Sequence, residues 1–347
     1  MPTIASKRLV QLGTEIFAAC GVAAEDSEVV SSSLVESNLL GHDSHGVIRI
    51  PQYVGKLKKG DVNVGAKLTA ISRTSNSISF DGNWGFGQIM ARRAMETVLN
   101  EIGESAIFAA TLFRSDHVGR LGEYSSLAAE RGFLGIIMLN NHGAGQLVAP
   151  LGGREARMAP TPISICAPSG TDAPVLMDFT ASVVAEGKVR VALNRGEMLK
   201  SGCILDADGN PSNDPKDLYG PPRGTILPFG GGAAHKGYVL GFMIELLAGI
   251  LSGAGTSRKD HDKFGNAAFM CVVNIEAFLP LADFCRQVQE FTEYIKTCPK
   301  APGVQEILIP GEKEHLEHKK RLAEGIFLSD ETWAQLCETA GNVGVEA

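Results

Sequence analysis

Between Gly41 and Pro51 the chain reads Gly-His-Asp-Ser-His-Gly-Val-Ile-Arg-Ile-Pro, its densest run of chemically competent side chains. Interconverting a carbonyl and an alcohol needs a proton donor or acceptor that titrates near neutrality, and histidine comes nearest to that. His45 could fill the role, with Ser44 orienting the imidazole or relaying a proton. A carboxylate is held best by a planar fork of donors, and Arg49 stands four residues after His45, on the same face if the segment is helical. Two other readings of these residues stay open. They could cap a helix end and meet solvent, or His42, Asp43 and His45 could ligate a metal, although no further ligands follow at supporting spacing.

A second segment, His117-Val118-Gly119-Arg120-Leu121-Gly122-Glu123-Tyr124, follows a predicted strand. Glycines at a strand-to-helix turn leave backbone N–H groups open, and a helix N-terminus there favours a phosphate. A plain glycine turn with a surface His and Arg fits the same residues. The third, Phe229 to Gly237, joins four glycines, Lys236 and the start of a long apolar helix, which makes an anion nest or an ordinary flexible loop. Motifs for other chemistries are missing. No GxGxxG follows a strand, since the third position after Gly230 and Gly232 is His235, and GxxxxGK[ST], GxSxG and HExxH are all lacking. A dinucleotide would therefore need an architecture other than the Rossmann unit.

These segments must be positioned by the elements around them. Apolar residues at helical spacing predict two helices within residues 5 to 41, closed by Gly21 and Gly41. Alternating runs at Lys67 to Ser72 and Ser77 to Phe80 predict a hairpin, with Asp81-Gly82 as a turn. From 85 to 141 helices near 86–101 and 120–131 alternate with strands at 107–113 and 133–140, the wiring of an α/β unit. Strands near 163–167, 174–178 and 268–275 and helices near 182–193 and from 235 continue it. Helices near 280–297, 312–324 and 330–341 are expected to pack on the N-terminal ones.

Composition narrows the class. The chain has 347 residues, 44% hydrophobic and 20% charged, enough for a large core and two domains. A net charge of -7, with no basic cluster interleaved with aromatics, excludes a nucleic-acid partner. The mixed run Glu312 to Arg321, with His315 and His318, reads as a solvated helix face. Seven cysteines without a CxxC pair fit reduced cytosolic thiols. Thr14 and Glu15 break the N-terminal apolar stretch, so no signal peptide is expected. Gly237 to Gly253 carries Glu245 and reads as a buried helix, not a membrane span. The expectation is a cytoplasmic protein without a membrane partner.

Taken together the segments resemble the type-2 malate/L-lactate dehydrogenase family over nearly the whole chain. The family's Ser-His-Gly with a following Arg appears as Ser44-His45-Gly46 and Arg49, and its His-x-Gly-x-x-Gly-x-Tyr as His117 to Tyr124. Asp178-Phe179-Thr180-Ala181-Ser182, His235-Lys236-Gly237 and Pro310-Gly311-Glu312 match its later motifs in order. Gly41 to Gly46 and Ile309 to Glu312 are most like its hydroxycarboxylate dehydrogenase branch. The resemblance implies an α/β (α+β) fold of non-Rossmann type: an all-helical domain from both chain ends (1–70 with 280–347), a central mixed-sheet domain (71–279) that binds NAD or NADP, and a homodimer. It implies His45 as proton donor with Ser44 as relay, His117 as the alternative base, and Arg49, Glu186 and Gly187 on a small 2-keto or 2-hydroxy acid.

By position, the cofactor would touch His45, Gly119, Arg120, Leu121, the strand end Leu176, Met177, Asp178, Phe179 and Thr180, then His235, Asn266, and the turn Gly311, Glu312, Lys313 and Glu314. No metal is implied. The family also contains cyclic imino-acid reductases, and a metal-dependent hydrolase or lyase using His42, His45 and His117 is the rival from another class. Two departures stand out. Ala159-Pro160-Thr161-Pro162 replaces the common Gly-Thr-Asn-Pro, and extra residues precede His235 in the glycine loop.

Overall fold

The computed structural model describes residues 2–143, 145–258 and 263–347. A short strand, β1 (Thr3–Ile4), leads into helices α1 (Ser6–Ala19) and α2 (Ala24–Leu39). The apolar spacing buries Leu9, Leu12, Ile16 and Phe17 of α1 and Val30, Leu34 and Val35 of α2. Gly41, with φ +80°, makes the left-handed turn that only glycine takes without a Cβ penalty. Two 3-10 turns, Asp43–His45 and Val47–Arg49, then run into α3 (Ile50–Lys59), which has Pro51 in its first turn.

Next come β2 (Thr69–Arg73), β3 (Ser77–Gly85), α4 (Gly87–Glu101), β4 (Ile107–Ser115), α5 (Gly122–Glu130), β5 (Phe133–His142), β6 (Pro162–Ala167) and β7 (Val175–Thr180). A smaller lobe follows, with α6 (Glu186–Arg195), β8 (Ile204–Leu205), β9 (Pro211–Ser212), α7 (Pro215–Tyr219) and β10 (Thr225–Ile226), then α8 (His235–Ile244). The chain closes with β11 (Gly265–Asn274), α9 (Leu281–Lys296), α10 (Glu312–Glu324), β12 (Ile326–Phe327) and α11 (Asp330–Gly341).

The main sheet has seven strands in the order β2-β3-β4-β11-β5-β6-β7. It is mixed, because β3 and β4 pair in parallel and the other neighbours pair antiparallel. The late strand β11 sits at its centre. The chain ends meet: β1 pairs with β12, α10 packs on α2, and α11 packs on α3. One apolar core runs from Leu9, Phe17 and Tyr53 through Met90, Phe108 and Leu112 to Met270, Ile326 and Leu336. Each such side chain contributes roughly 1.5–3 kcal/mol on burial. This shared core therefore fixes the α2–α3 junction against the sheet far more strongly than any single polar contact there.

Three expectations need correcting. The β2–β3 hairpin turns at Thr74–Asn76, while Asp81-Gly82 lies inside β3. Arg114 Nε donates to Asp81 at 2.9 Å, and a Cβ on Gly82 would sit 3.0 Å from the Arg114 carbonyl, so the Asp-Gly pair answers to packing and not to reversal. Helix α9 carries no buried residue and leans through Leu281 and Gln289 on Gly132 and Gly170, leaving α10 and α11 to pack on the N-terminal helices. The long apolar helix runs from α8 into a π-helical turn, Glu245–Ile250, and is buried on one face only. Its small residues Gly237 and Gly241 face inward, while Val239, Phe242 and Met243 are exposed. Among the described residues no helix is long and apolar enough to cross a membrane.

Candidate active site

The Gly41–Pro51 segment is held from behind. Asn38, near the end of α2, accepts from the Val47 N–H at 2.8 Å and donates to Asp43 Oδ1 at 2.8 Å. Gly46 passes so close to that amide that a Cβ would lie 2.2 Å from Asn38 Oδ1. Arg321 of α10 donates to Asp43 Oδ1 at 2.6 Å and to the Asn38 carbonyl at 2.7 Å. So anchored, the two 3-10 turns present Ser44, His45 and Arg49 to a cavity of about 600 Å³. Ser44 Oγ lies 3.2 Å from His45 Nδ1. Arg49 Nε donates to the Ser44 carbonyl at 2.7 Å and Nη1 to Gln52 at 2.8 Å, while Nη2 stands 3.9 Å from Glu186. Hydrogens on both Nη atoms remain for a ligand.

His117 follows β4 and faces the same cavity. Gly87 makes this possible, since a Cβ there would lie 2.3 Å from the His117 backbone. The His45 and His117 rings stack, with centroids 5.7 Å apart and planes 12° from parallel. Behind His117, the Tyr53 hydroxyl lies 2.6 Å from Nδ1, and Gln88 Nε2 donates to that hydroxyl at 2.8 Å. Burial, and then the positive charge of Arg49, push the His45 pKa down to about 3. The same two causes hold His117 well below the usual imidazole range. Both rings are therefore neutral at ordinary pH.

Helix α6 closes the cavity. A Cβ on Gly187 would sit 2.7 Å from Ser44 Cβ and 3.0 Å from Arg49 Nη2, so only glycine admits this approach. Glu186 accepts from Arg190 at 2.7 Å and from the Tyr219 hydroxyl at 3.0 Å. At the other end, buried Arg120 has Nη1 3.7 Å from Asp178 Oδ2, and its Nε and Nη1 lack hydrogen-bond partners. Asp178 Oδ2 instead accepts from the Gly122 N–H at 2.7 Å. The start of α5 thus spends the Gly122 N–H on a carboxylate. Burial raises the Asp178 pKa, and Arg120 opposes the rise.

The cavity brings together His45, Ser44, His117, Arg49, Glu186, Gly187, Gly119, Arg120, Leu121, Asp178, Phe179 and Thr180. Leu176 donates its N–H to the Pro310 carbonyl at 3.1 Å, and Gly311 packs against it. Glu314 lies 3.7 Å from His42, which brings the Gly311–Glu314 turn to the rim, with Lys313 exposed and Glu312 bonded to the Ile309 N–H. Met177 packs beside the Ile163–Ile244 cluster. His235 is exposed and outside the cavity lining. Asn266 is fully buried: it accepts from the Val118 N–H at 3.0 Å and donates to Asn141, so its amide steers those residues and does not face the cavity. Neither Tyr53, Gln88, Asn38 nor Arg321 was picked out by the sequence patterns. A buried amide on the apolar face of α4 is the signal that could have found Gln88. Among the described residues no three His, Cys, Asp or Glu side chains are placed to hold a metal ion.

This geometry pairs a neutral, half-buried imidazole with a guanidinium that keeps donors in reserve, inside a mixed-sheet fold without a Rossmann turn. The family model for malate/L-lactate dehydrogenases matches residues 4–337. The L-lactate dehydrogenase of Cupriavidus necator is 34% identical, covering 96% of either chain. Hydroxycarboxylate dehydrogenase B of Escherichia coli is 32% identical over 95% of this chain and 91% of its own. The solved structure of malate dehydrogenase from Pyrococcus horikoshii superposes with a TM-score of 0.90 and 32% identity, covering all of this chain and 97% of that one. The chain belongs to the malate/L-lactate dehydrogenase family.

Proposed function

We propose that this chain transfers a hydride between a nicotinamide dinucleotide and the C2 carbon of a small 2-hydroxy or 2-keto acid. The observation that carries the reading is the placement of His45 and Arg49 on one cavity wall, the one neutral and the other only partly saturated. The residues present suit a dinucleotide. Arg120 keeps two buried nitrogens without a hydrogen-bond partner, which an anionic group would satisfy, and Gly119, Leu121 and the Asp178–Thr180 strand end lie beside it. NAD is the cofactor proposed and NADP the alternative. When bound, it supplies the hydride chemistry, and the protein supplies position and polarity.

Arg49 holds the substrate carboxylate with its free Nη hydrogens. His45, neutral when the site is empty, takes the proton of the 2-hydroxyl in the oxidative direction and returns it in the reductive one. Ser44, at Nδ1, orients the ring and shares the charge that develops on it. A homodimer is part of the proposal, supported by the exposed apolar face Val239, Phe242, Met243, Ile250 and Leu251. So are the division into 1–70 with 280–347 and 71–279, and residence in the cytoplasm, which suits seven unpaired cysteines.

The test is oxidation of NADH and of NADPH against pyruvate, oxaloacetate, 2-oxoglutarate and a cyclic imine. Turnover of at least one keto acid is expected. Reduction of the imine alone would move the reaction to imino-acid chemistry, and a chelator-sensitive hydrolysis that needs no dinucleotide would overturn the reading.

A further inference from the structure

The two stacked histidines differ in what stands behind them. Among the described residues, His45 Nδ1 meets the Ser44 hydroxyl, a group that can accept or donate. His117 Nδ1 meets a phenol whose own surroundings fix its direction. We infer that Tyr53 is a positioning residue that locks His117 as a hydrogen-bond donor toward the substrate C2 oxygen, leaving proton transfer to His45; the inference rests on the dehydrogenase reading above.

The argument is a count of hydrogens. Gln88 is fully buried, and its Nε2 donates to the Tyr53 hydroxyl at 2.8 Å while its Oε1 has no partner. The present orientation leaves one N–H hydrogen and the carbonyl unpaired, whereas turning the amide over would leave both N–H hydrogens unpaired, and an orphaned N–H is rarer in a dry interior than an under-satisfied carbonyl. With Gln88 donating to it, the hydroxyl gives its single hydrogen to His117 Nδ1 at 2.6 Å. That nitrogen must then be bare. A neutral ring with a bare Nδ1 carries its proton on Nε2, and such a ring can stabilise a developing alkoxide but cannot take a proton from an alcohol. Burial and Arg49 keep the ring from gaining a second proton.

The phenol itself cannot swing away. Tyr53 is fully buried, with the Phe17 and Phe86 rings 6.4 Å and 6.3 Å from its own. Lys56, one turn along α3, pairs with Asp116 and ties that helix to the residue preceding His117. Tyr53→Phe therefore removes the hydroxyl while the ring stays packed.

The experiment joins kinetics to a direct reading of the proton. Histidine ring ¹⁵N spectra of the full-length protein, with His117 assigned by its loss in His117→Gln, should show the proton on Nε2 in the wild type. In Tyr53→Phe the spectrum should move to a mixture of tautomers. The kcat for the best keto acid of the panel should fall on the order of 10²-fold, with KM changed less than about threefold, because the lost interaction matters most in the transition state. Gln88→Met, which frees the phenol to reorient, should change both readouts in the same direction by less. A wild-type spectrum with the proton on Nδ1, or an unchanged kcat in Tyr53→Phe, overturns the assignment. Failure to reduce any keto acid would sink the dehydrogenase reading instead, and the spectrum would still decide the tautomer.

Discussion

Gly46 and Gly232 belong to two glycine-marked segments at the cavity that are built in opposite ways. Around Gly46 there is no spare room: Asn38 fills the place where a Cβ would go, and Arg321 fastens the neighbouring Asp43. Around Gly232 nothing stands within 4 Å of such an atom, and the loop from Gly231 to His235 is largely exposed. Yet Gly237, five residues on, is as tight as Gly46, since a Cβ there would lie 2.4 Å from the Phe229 carbonyl oxygen. A glycine-rich run is therefore not one signal. Each glycine answers to what lies behind it.

Five substitutions would break or sharpen that contrast. Replacing His45 with Ala, in the tight segment, should lower kcat about 10² to 10⁴-fold, measured by dinucleotide oxidation. Near-normal turnover would remove the segment from the chemistry. Next in size, Gly46→Ala should cost at least about 1–3 kcal/mol in urea unfolding, through overpacking against Asn38. By contrast Gly232→Ala should stay within about 0.5 kcal/mol. Equal costs at the two positions would dissolve the comparison.

Arg49→Lys keeps the charge and loses the fork, so KM for the keto acid should rise about tenfold or more, while unchanged kinetics would put the carboxylate elsewhere. The smallest effect is on acid stability. The folded pKa of His45 lies near 3, below the ordinary value near 6.5, so the unfolded chain binds the proton first. Its contribution is whole above about pH 6.5 and is lost as pH falls from there toward 3. The urea midpoint should drop between pH 7 and pH 5, and the drop should shrink in His45→Gln; an identical slope would locate the loss in other groups.

Much of this was legible in the sequence, for physical reasons. Helices α1, α2, α4, α10 and α11 declare themselves because one face of each meets the rest of the fold and the other meets solvent, or because their caps are local. The chemical segment at Ser44–Arg49 was legible because residue types alone limit what it can do. What was hidden depends on distant partners. The clamp on Asp43 comes from Arg321, and the phenol behind His117 comes from Tyr53, 64 residues away in the chain. Asp81-Gly82 misled because turn-forming residues also serve where strands crowd together, as Gly82 does against Arg114. Asn266 lies inside β11, ahead of the strand expected from 268, and the direction in which its amide points follows from its distant neighbours Val118 and Asn141.

The Asp43–Arg321 contact spans 278 residues, and β1 likewise waits for β12. A ribosome making this protein must therefore release the chain through Arg321 before the histidine-bearing loop gains its final brace. Until then the nascent chain holds its reactive groups without the brace that aims them.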